Sequence, residues 1–205
     1  MDIDDCRENP LICLHGRCRN TVGSYICECE SGYLHSSDGG KYSVDMAEIL
    51  HGKEAMDTQC VILGNVNTNS PLLVDKVVSE ATRTYCGRGQ GIIVVPFILS
   101  GAMGPVSTAA SIAQAMAEAM ICCAFSQLVR EGAPFVLGNF LSSMSLKSGT
   151  PTFGMPEPVL SNYVIGQMAR RLGLPLRCGG SLTASKIEDA QAAYESADSM
   201  HSTML

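Results

Sequence analysis

The sequence predicts a mixed α/β chain in two parts: a short cysteine-dense segment, then about four βα units around a parallel sheet. Three observations carry that prediction. Five of the ten cysteines fall between Cys6 and Cys29, whereas Cys60, Cys86, Cys122, Cys123 and Cys178 are scattered. Residues 34–43, LHSSDGGKYS, are polar and rich in glycine and serine, the composition of a junction. Beyond them, short β-rich runs alternate with long Ala- and Met-rich amphipathic runs, as the strands and crossover helices of a parallel sheet do.

Taken in order, residues 1–33 show no helical period and almost no apolar residues to bury. A segment that small needs disulfides in place of a core. The second part is expected to run over 44–205. Its first strand is expected at 60–67 and the following helix at 72–85. The second strand falls at 92–100 with its helix at 106–129. The third falls at 134–140 and, after a long loop, its helix at 157–172. The fourth strand is expected at 174–179, with a last helix from 187 into the C-terminus. Gly173 supplies a left-handed stop for the third helix, with Pro175 just beyond it. Ser185 with Glu188 reads as a capping box opening the last helix.

Composition narrows the function classes. The 205 residues carry a formal net charge of -6, with a pI near 5.1, which argues against a nucleic-acid partner because such partners ask for a basic face. Apolar residues make up 46%, too many for a disordered tail. No apolar run reaches the ~18 residues of a membrane span, so none is expected. The chain passes from Met1 straight into acidic residues, so no secretory signal is expected either. The two sets of cysteines point to different compartments. Dense cysteines suit an oxidising one, and scattered thiols acting as small apolar side chains suit a reducing one.

The first part reads DIDDC-x6-C-x4-C-x8-C-x-C, with GSY before the fourth cysteine and GY after the fifth. This string resembles the calcium-binding EGF-like module over 1–33. The resemblance implies an extracellular setting and disulfides linking Cys6 to Cys18 and Cys13 to Cys27. It also implies calcium held by the side chains of Asp2, Asp5 and Asn20 and the carbonyls of Ile3, Thr21 and Ser24. That donor set suits Ca²⁺, a hard cation that takes six to eight oxygens. Asp5 stands where the module usually has glutamate, a shorter reach. No sixth cysteine follows in LHSSDGGKYSVDM, so Cys29 is left as an orphan thiol or takes an unusual partner such as Cys60.

The second part carries NVNTNSPL (65–72), GRGQGIIVVPFILSGAMGPVS (87–107), QLVREGAPFVLGNF (127–140), MSLKSGTPTFGMPE (144–157), GQMARRLGLPLR (166–177) and DAQAAYES (189–196). Together they resemble the trimethylamine methyltransferase family, whose members pass a methyl group from a methylamine or betaine to a corrinoid protein. The resemblance implies part of a (β/α) TIM barrel, a cytoplasmic setting and a partner protein carrying the corrinoid (cobalamin). In such barrels the C-terminal strand ends build the site. Here those ends hold Asn65, Asn67 and Asn69; Ser100, Gly101, Met103 and Gly104; Gly138 and Asn139; and Gly179, Gly180 and Ser181. Glycine lets a large flat group approach the backbone, and amides and hydroxyls orient a ligand without supplying charge. Gly101 and Gly104 serve equally well simply to shape a turn.

No aspartate or glutamate stands at an expected strand end, so no general base is visible there. Cys122 and Cys123 read as core filler on a helix rather than as a redox or metal pair. The catalytic residue stays unassigned: the pyrrolysine of the family's trimethylamine enzymes would lie beyond the position matching Leu205. Four units make half of an eight-stranded barrel, so residues 1–205 alone are expected not to turn over. A rival reading makes the chain an extracellular calcium-dependent recognition module with a passenger barrel segment. A third makes it an artefactual fusion of two frames.

Overall fold

A computed structural model describes residues 4–8, 16–22, 24–29 and 40–204. The chain divides into two compact units, Met1–Asp38 and Gly39–Leu205, and the division falls inside the polar 34–43 stretch.

The first unit holds a helical turn, α1 (Asp5–Glu8), and an antiparallel hairpin of β1 (Gly16–Thr21) and β2 (Ser24–Cys29). A disulfide joins Cys6 to Cys18, with Cα atoms 5.6 Å apart. Cys18 lies opposite Cys27 in the ladder, and Thr21 opposite Ser24 beside the turn. The expected Cys13–Cys27 pairing involves Cys13, which lies outside the described residues.

The second unit is mixed α/β. It opens with α2 (Lys41–His51) and α3 (Lys53–Thr58), two helices that the strand-and-helix count above does not anticipate. Then come β3 (Leu63–Asn69), α4 (Lys76–Gly87), β4 (Gly91–Ser100), α5 (Thr108–Val129), β5 (Phe135–Met144), β6 (Pro151–Thr152), α6 (Pro156–Leu172), β7 (Leu176–Cys178) and α7 (Ala190–Met204). The parallel strands lie in the order β3-β4-β5-β7, and the sheet curls as half of a barrel does. The two-residue β6 pairs antiparallel with the end of β5.

The core sits between the sheet and its helices. Ile92, Val94 and Ile98 of β4 and Leu137 and Leu141 of β5 face that layer with Ile112, Ala115 and Ala119 of α5 and Ile165 and Ala169 of α6. Every residue of β4 is buried or half-buried, as suits a strand flanked by β3 on one side and β5 on the other. By length and composition α5 is apolar enough to cross a bilayer, a test that core helices also pass. In this unit it packs against β4 and β5 and buries Ser111, Glu118 and Ser126.

The four expected βα units are present, with shifted ends that have local causes. The first strand starts at Leu63 rather than 60 because Gln90 captures the preceding segment. Its Oε1 accepts from Val61 N–H (2.8 Å) and Ile62 N–H (3.2 Å), and its Nε2 donates to the carbonyls of Met56, Gln59 and Arg88. The following helix starts at Lys76 rather than 72 because Asp75 caps it, accepting from Val78 N–H at 2.8 Å. Gly173 closes α6 at φ 69°, the left-handed stop the sequence indicates. The Ser185/Glu188 capping box does not form. The last helix begins at Ala190, Asp189 accepts from Ala192 N–H at 2.8 Å, and Ser185 hydrogen-bonds the backbone of Ile187 instead.

Candidate functional site

Side chains alternate across a strand, so each strand offers one face to the helices and one to the inside of the curl. On β3 the helix face takes Gly64, Val66 and Thr68, while Asn65, Asn67 and Asn69 stand exposed on the inner face. Register brings Asn65 beside Ile93, Asn67 beside Val95 and Asn69 beside Phe97 of β4. Phe97 in turn pairs with Phe140 of β5, ring centroids 5.2 Å apart, and Phe140 meets Phe153 at 5.9 Å. Arg177 of β7 is exposed opposite Gly138 and gives this face a cation. The result is a row of amides, then a band of apolar and aromatic groups, then a guanidinium.

The other expected site residues divide between this face and its supports. Gly138 lies on the inner face, and an added Cβ would come within 2.5 Å of Val95 Cγ2 and 2.6 Å of Val94 O, so glycine is required by the approach of β4. Asn139 is turned away from the inner face. It is 2% exposed, shares its face with Leu137 and Leu141, and donates to Asn162 Oδ1 at 2.7 Å beneath α6. Ser100 likewise turns to the helices, donating to Ser111 Oγ at 2.9 Å. Gly101 adopts φ 90°, and a Cβ on Gly104 would press within 2.8 Å of Ile98. Both therefore shape the β4–α5 turn, with the Met103 carbonyl held by Gln114 Nε2 at 3.1 Å. After β7, Thr203 donates to Gly179 O at 2.6 Å, Gly180 lies tight against Met200 and Thr203, and Ser181 bonds Ser196. α7 thus grips the 179–181 loop.

Glu118 corrects the expectation of no carboxylate at a strand end. It belongs to α5 and reaches the end of β3 from the helix layer, 1% exposed. Its Oε2 accepts from Thr68 Oγ1 (2.6 Å) and Ser70 Oγ (2.8 Å), and its Oε1 accepts from Leu72 N–H (2.8 Å) and Gln114 Nε2 (3.0 Å). Burial pushes this carboxyl up, but the donors at Thr68, Leu72, Gln114 and Ser70 together outweigh burial and hold it below its usual range. Asp75 accepts from Asn69 Nδ2 at the same strand end. Sequence reading missed Glu118 because it searched strand ends, and a polar residue in the middle of the apolar run 108–129 was the available signal. Arg177 was passed over inside a longer motif.

Two cavities among the described residues do not compete with the inner face. A void of about 20 Å³ beside Asn139, Phe140, Ser142 and Asn162 has room for one water-sized group, too little for a methylated amine. An open groove of about 380 Å³ between α5 and α6 is lined by Ile112, Ala113, Leu160, Val164 and Met168, with Thr108 its polar member. It offers packing rather than chemistry. The thiols are quiet as well. Burial pushes Cys86, Cys122 and Cys178 up to about 11, so they stay neutral at physiological pH. Cys122 and Cys123 sit on α5 in or against the core, as expected.

For calcium, the hairpin brings Asn20, Thr21 and Ser24 to one end, and the Cys6–Cys18 bridge ties α1, which starts at Asp5, to the strand carrying Asn20. Those residues fit a shared set of oxygen ligands. The remaining expected ligands, Asp2 and Ile3, and the side chain of Asp5 lie outside what is described. Among the described residues no three His, Cys, Asp or Glu side chains gather as a metal site.

Comparison with known proteins agrees with both parts. The family model described as trimethylamine methyltransferase (MTTB) matches residues 27–205, and that of the calcium-binding EGF domain matches residues 2–41. The chain is 32% identical over 170 residues to the glycine betaine methyltransferase of Desulfitobacterium hafniense strain Y51, covering 82% of this chain and 36% of that protein. It is 27% identical over 149 residues to the trimethylamine methyltransferase MttB of Desulfitobacterium hafniense strain DSM 10664 / DCB-2, covering 73% and 30%. With MttB of Methanosarcina thermophila it shares 31% over 107 residues, 52% of this chain and 22% of that protein. The chain thus spans about a third or less of the length of these relatives. The N-terminal end is similar to the calcium-binding EGF domain, and the chain belongs to the trimethylamine methyltransferase (MTTB) family.

Proposed function

We propose that residues 39–205 form one wall of a methyl-transfer site in a (β/α) TIM barrel. The donor would be a small methylated amine or betaine, and the acceptor a corrinoid (cobalamin) on a partner protein. One observation carries the reading: the row of exposed amides Asn65, Asn67 and Asn69 runs along β3 to Asn69, which lies beside Phe97 of the Phe97–Phe140–Phe153 cluster on the inner face. Aromatic faces attract quaternary ammonium groups, and amides orient a ligand without competing for its charge. When a methyl group leaves a quaternary nitrogen, the bonding pair stays on nitrogen and the leaving amine is neutral, so no proton is required. A wall of amides, rings and glycine suits that reaction, whose demand is in-line positioning. Arg177 complements the carboxylate of a betaine. The corrinoid would supply the nucleophilic metal when its carrier docks, and the exposed amides of Asn65, Asn67 and Asn69 would meet the amide-fringed edge of the corrin.

The name of the Desulfitobacterium hafniense strain Y51 relative, glycine betaine methyltransferase, favours betaine over trimethylamine as donor. Because the chain covers about a third of that relative, binding tests the reading better than turnover does. Calorimetry on residues 1–205 should detect glycine betaine, and Phe140→Ala should weaken it several-fold. Equal affinity in both proteins would remove the aromatic wall from the site. With trimethylamine or betaine and a reduced corrinoid protein supplied, residues 1–205 by themselves should not form methylated corrinoid.

The N-terminal module is proposed to bind Ca²⁺ through Asp2, Asp5, Asn20 and the carbonyls of Ile3, Thr21 and Ser24. Oxidatively refolded protein should give a calcium heat that Asn20→Ala abolishes, and an unchanged heat would remove the assignment. The free thiols of 39–205 support a cytoplasmic setting for that unit, while the disulfide supports an oxidising one for the module.

A further inference from the structure

We propose that Glu118 is a specificity-determining residue: its buried charge makes the inner-face site favour a cationic ligand over a neutral one of the same shape. The inference rests on reading that face as the ligand wall and adds the residue that sets its charge preference.

Position comes first. Thr68 stands between Asn67 and Asn69 on β3, with its side chain on the opposite face, and its hydroxyl donates to Glu118 at 2.6 Å. The carboxylate therefore lies directly behind the asparagine row, separated from it by the thickness of one strand. A buried charge is costly unless it is paired or hydrogen-bonded, and no Lys or Arg among the described residues pairs with this one. Four donors surround it instead, so its net charge remains uncancelled at the strand end.

Hydrogen bonding alone does not demand a carboxylate here. A glutamine amide in the same place could accept from Leu72 N–H and Gln114 Nε2 through its oxygen. Its NH₂ could then donate to the hydroxyls of Thr68 and Ser70, which rotate freely to accept. What glutamate adds to that arrangement is the charge. The neighbouring titratable groups do not oppose it. Cys122, one turn along α5, is pushed up to about 11, first by burial and then by Glu118 itself, so it stays neutral. Asp75, at the start of α4, adds a second negative charge on the side of Asn69.

The test compares choline with its uncharged carbon analogue, 3,3-dimethylbutan-1-ol, on the full chain. Wild type should prefer choline, and Glu118→Gln should shrink that preference about tenfold, the effect of one charge acting through a partly solvated interior. A merely structural role would leave the ratio unmoved, so an unchanged ratio overturns the inference while the site reading stands. A wild-type protein that binds both without preference also overturns it. One that binds neither removes the ligand wall, and this inference with it. Should Glu118→Gln fail to fold, the wild type decides through reciprocity. The ¹³C-carboxyl titration of Glu118 should then move about one pH unit lower with saturating choline, the same tenfold coupling, and stay put with the alcohol. No movement with choline sinks the proposal.

Discussion

The amide of Asn139 donates to Asn162 Oδ1 at 2.7 Å, and Asn162 passes the line on to Ser202 Oγ at 3.1 Å. One polar chain thereby crosses from β5 through α6 to α7. Removing its first member strands the acceptor on Asn162, and a buried unpaired polar group costs on the order of 1–3 kcal/mol. Asn139→Ala should lower the urea midpoint accordingly and leave betaine affinity unchanged. A large loss of affinity with no change in midpoint would put Asn139 back on the ligand face.

Gly138 is held to glycine by backbone. The Val94 carbonyl stands 2.6 Å from where a Cβ would be, and it cannot rotate aside as a side chain could. Gly138→Ala should therefore force β4 and β5 apart, at about 1–3 kcal/mol, the usual cost of overpacking. A variant of native stability by calorimetric melting would mean that the two strands have slack.

Acid should act through Glu118 in a known direction. Its folded value lies below the ordinary 4.5, so the stability it contributes is present above that value. This contribution is lost as pH falls through the folded value. Asp189 and Glu195 shift the same way, lowered chiefly by the backbone N–H groups of Ala192 and Ala184 respectively, but both remain in a Glu118→Gln variant. Subtracting the variant's stability profile from wild type should leave a difference that shrinks below about pH 4.5. A difference flat from pH 7 to 3 would show that Glu118 titrates alike in the folded and unfolded chain.

Thiol reactivity should follow exposure and ionisation. Cys60 is exposed, whereas Cys86 and Cys122 are 0% and 1% exposed with values pushed up to about 11. Thiolate is the reacting species. At pH 8, peptide mapping after brief alkylation should find label on Cys60 well before Cys86 or Cys122. Early label on Cys122 would mean that α5 opens from the sheet in the native state.

Much of the architecture was legible because it depends on local pattern. Short β-rich runs between helical ones marked the strands around Val94 and Leu137, and Gly173 marked a helix end that needs only its own φ. The misses arose where a distant side chain decides. Gln90, 28 and 29 residues along the chain from Ile62 and Val61, sets where β3 begins. Glu118 holds Leu72 out of α4, 46 residues away in sequence. The expected capping box lost to Asp189, which offers the same kind of acceptor closer to the helix.

By itself, then, the sequence determined the two-part chain and the order of βα units, because residue type and spacing carry those, and its resemblances pointed to the methyltransferase family and implied the Cys6–Cys18 bridge. Tertiary structure decided which strand-end residues face inward. Asn65, Asn67 and Asn69 do, while Asn139 and Ser100 turn to the helices, since a strand's parity is fixed only by which face its helices cover. It also decided that a carboxylate on α5 serves the end of β3, a proximity that exists only once the crossover helix has packed back onto the sheet.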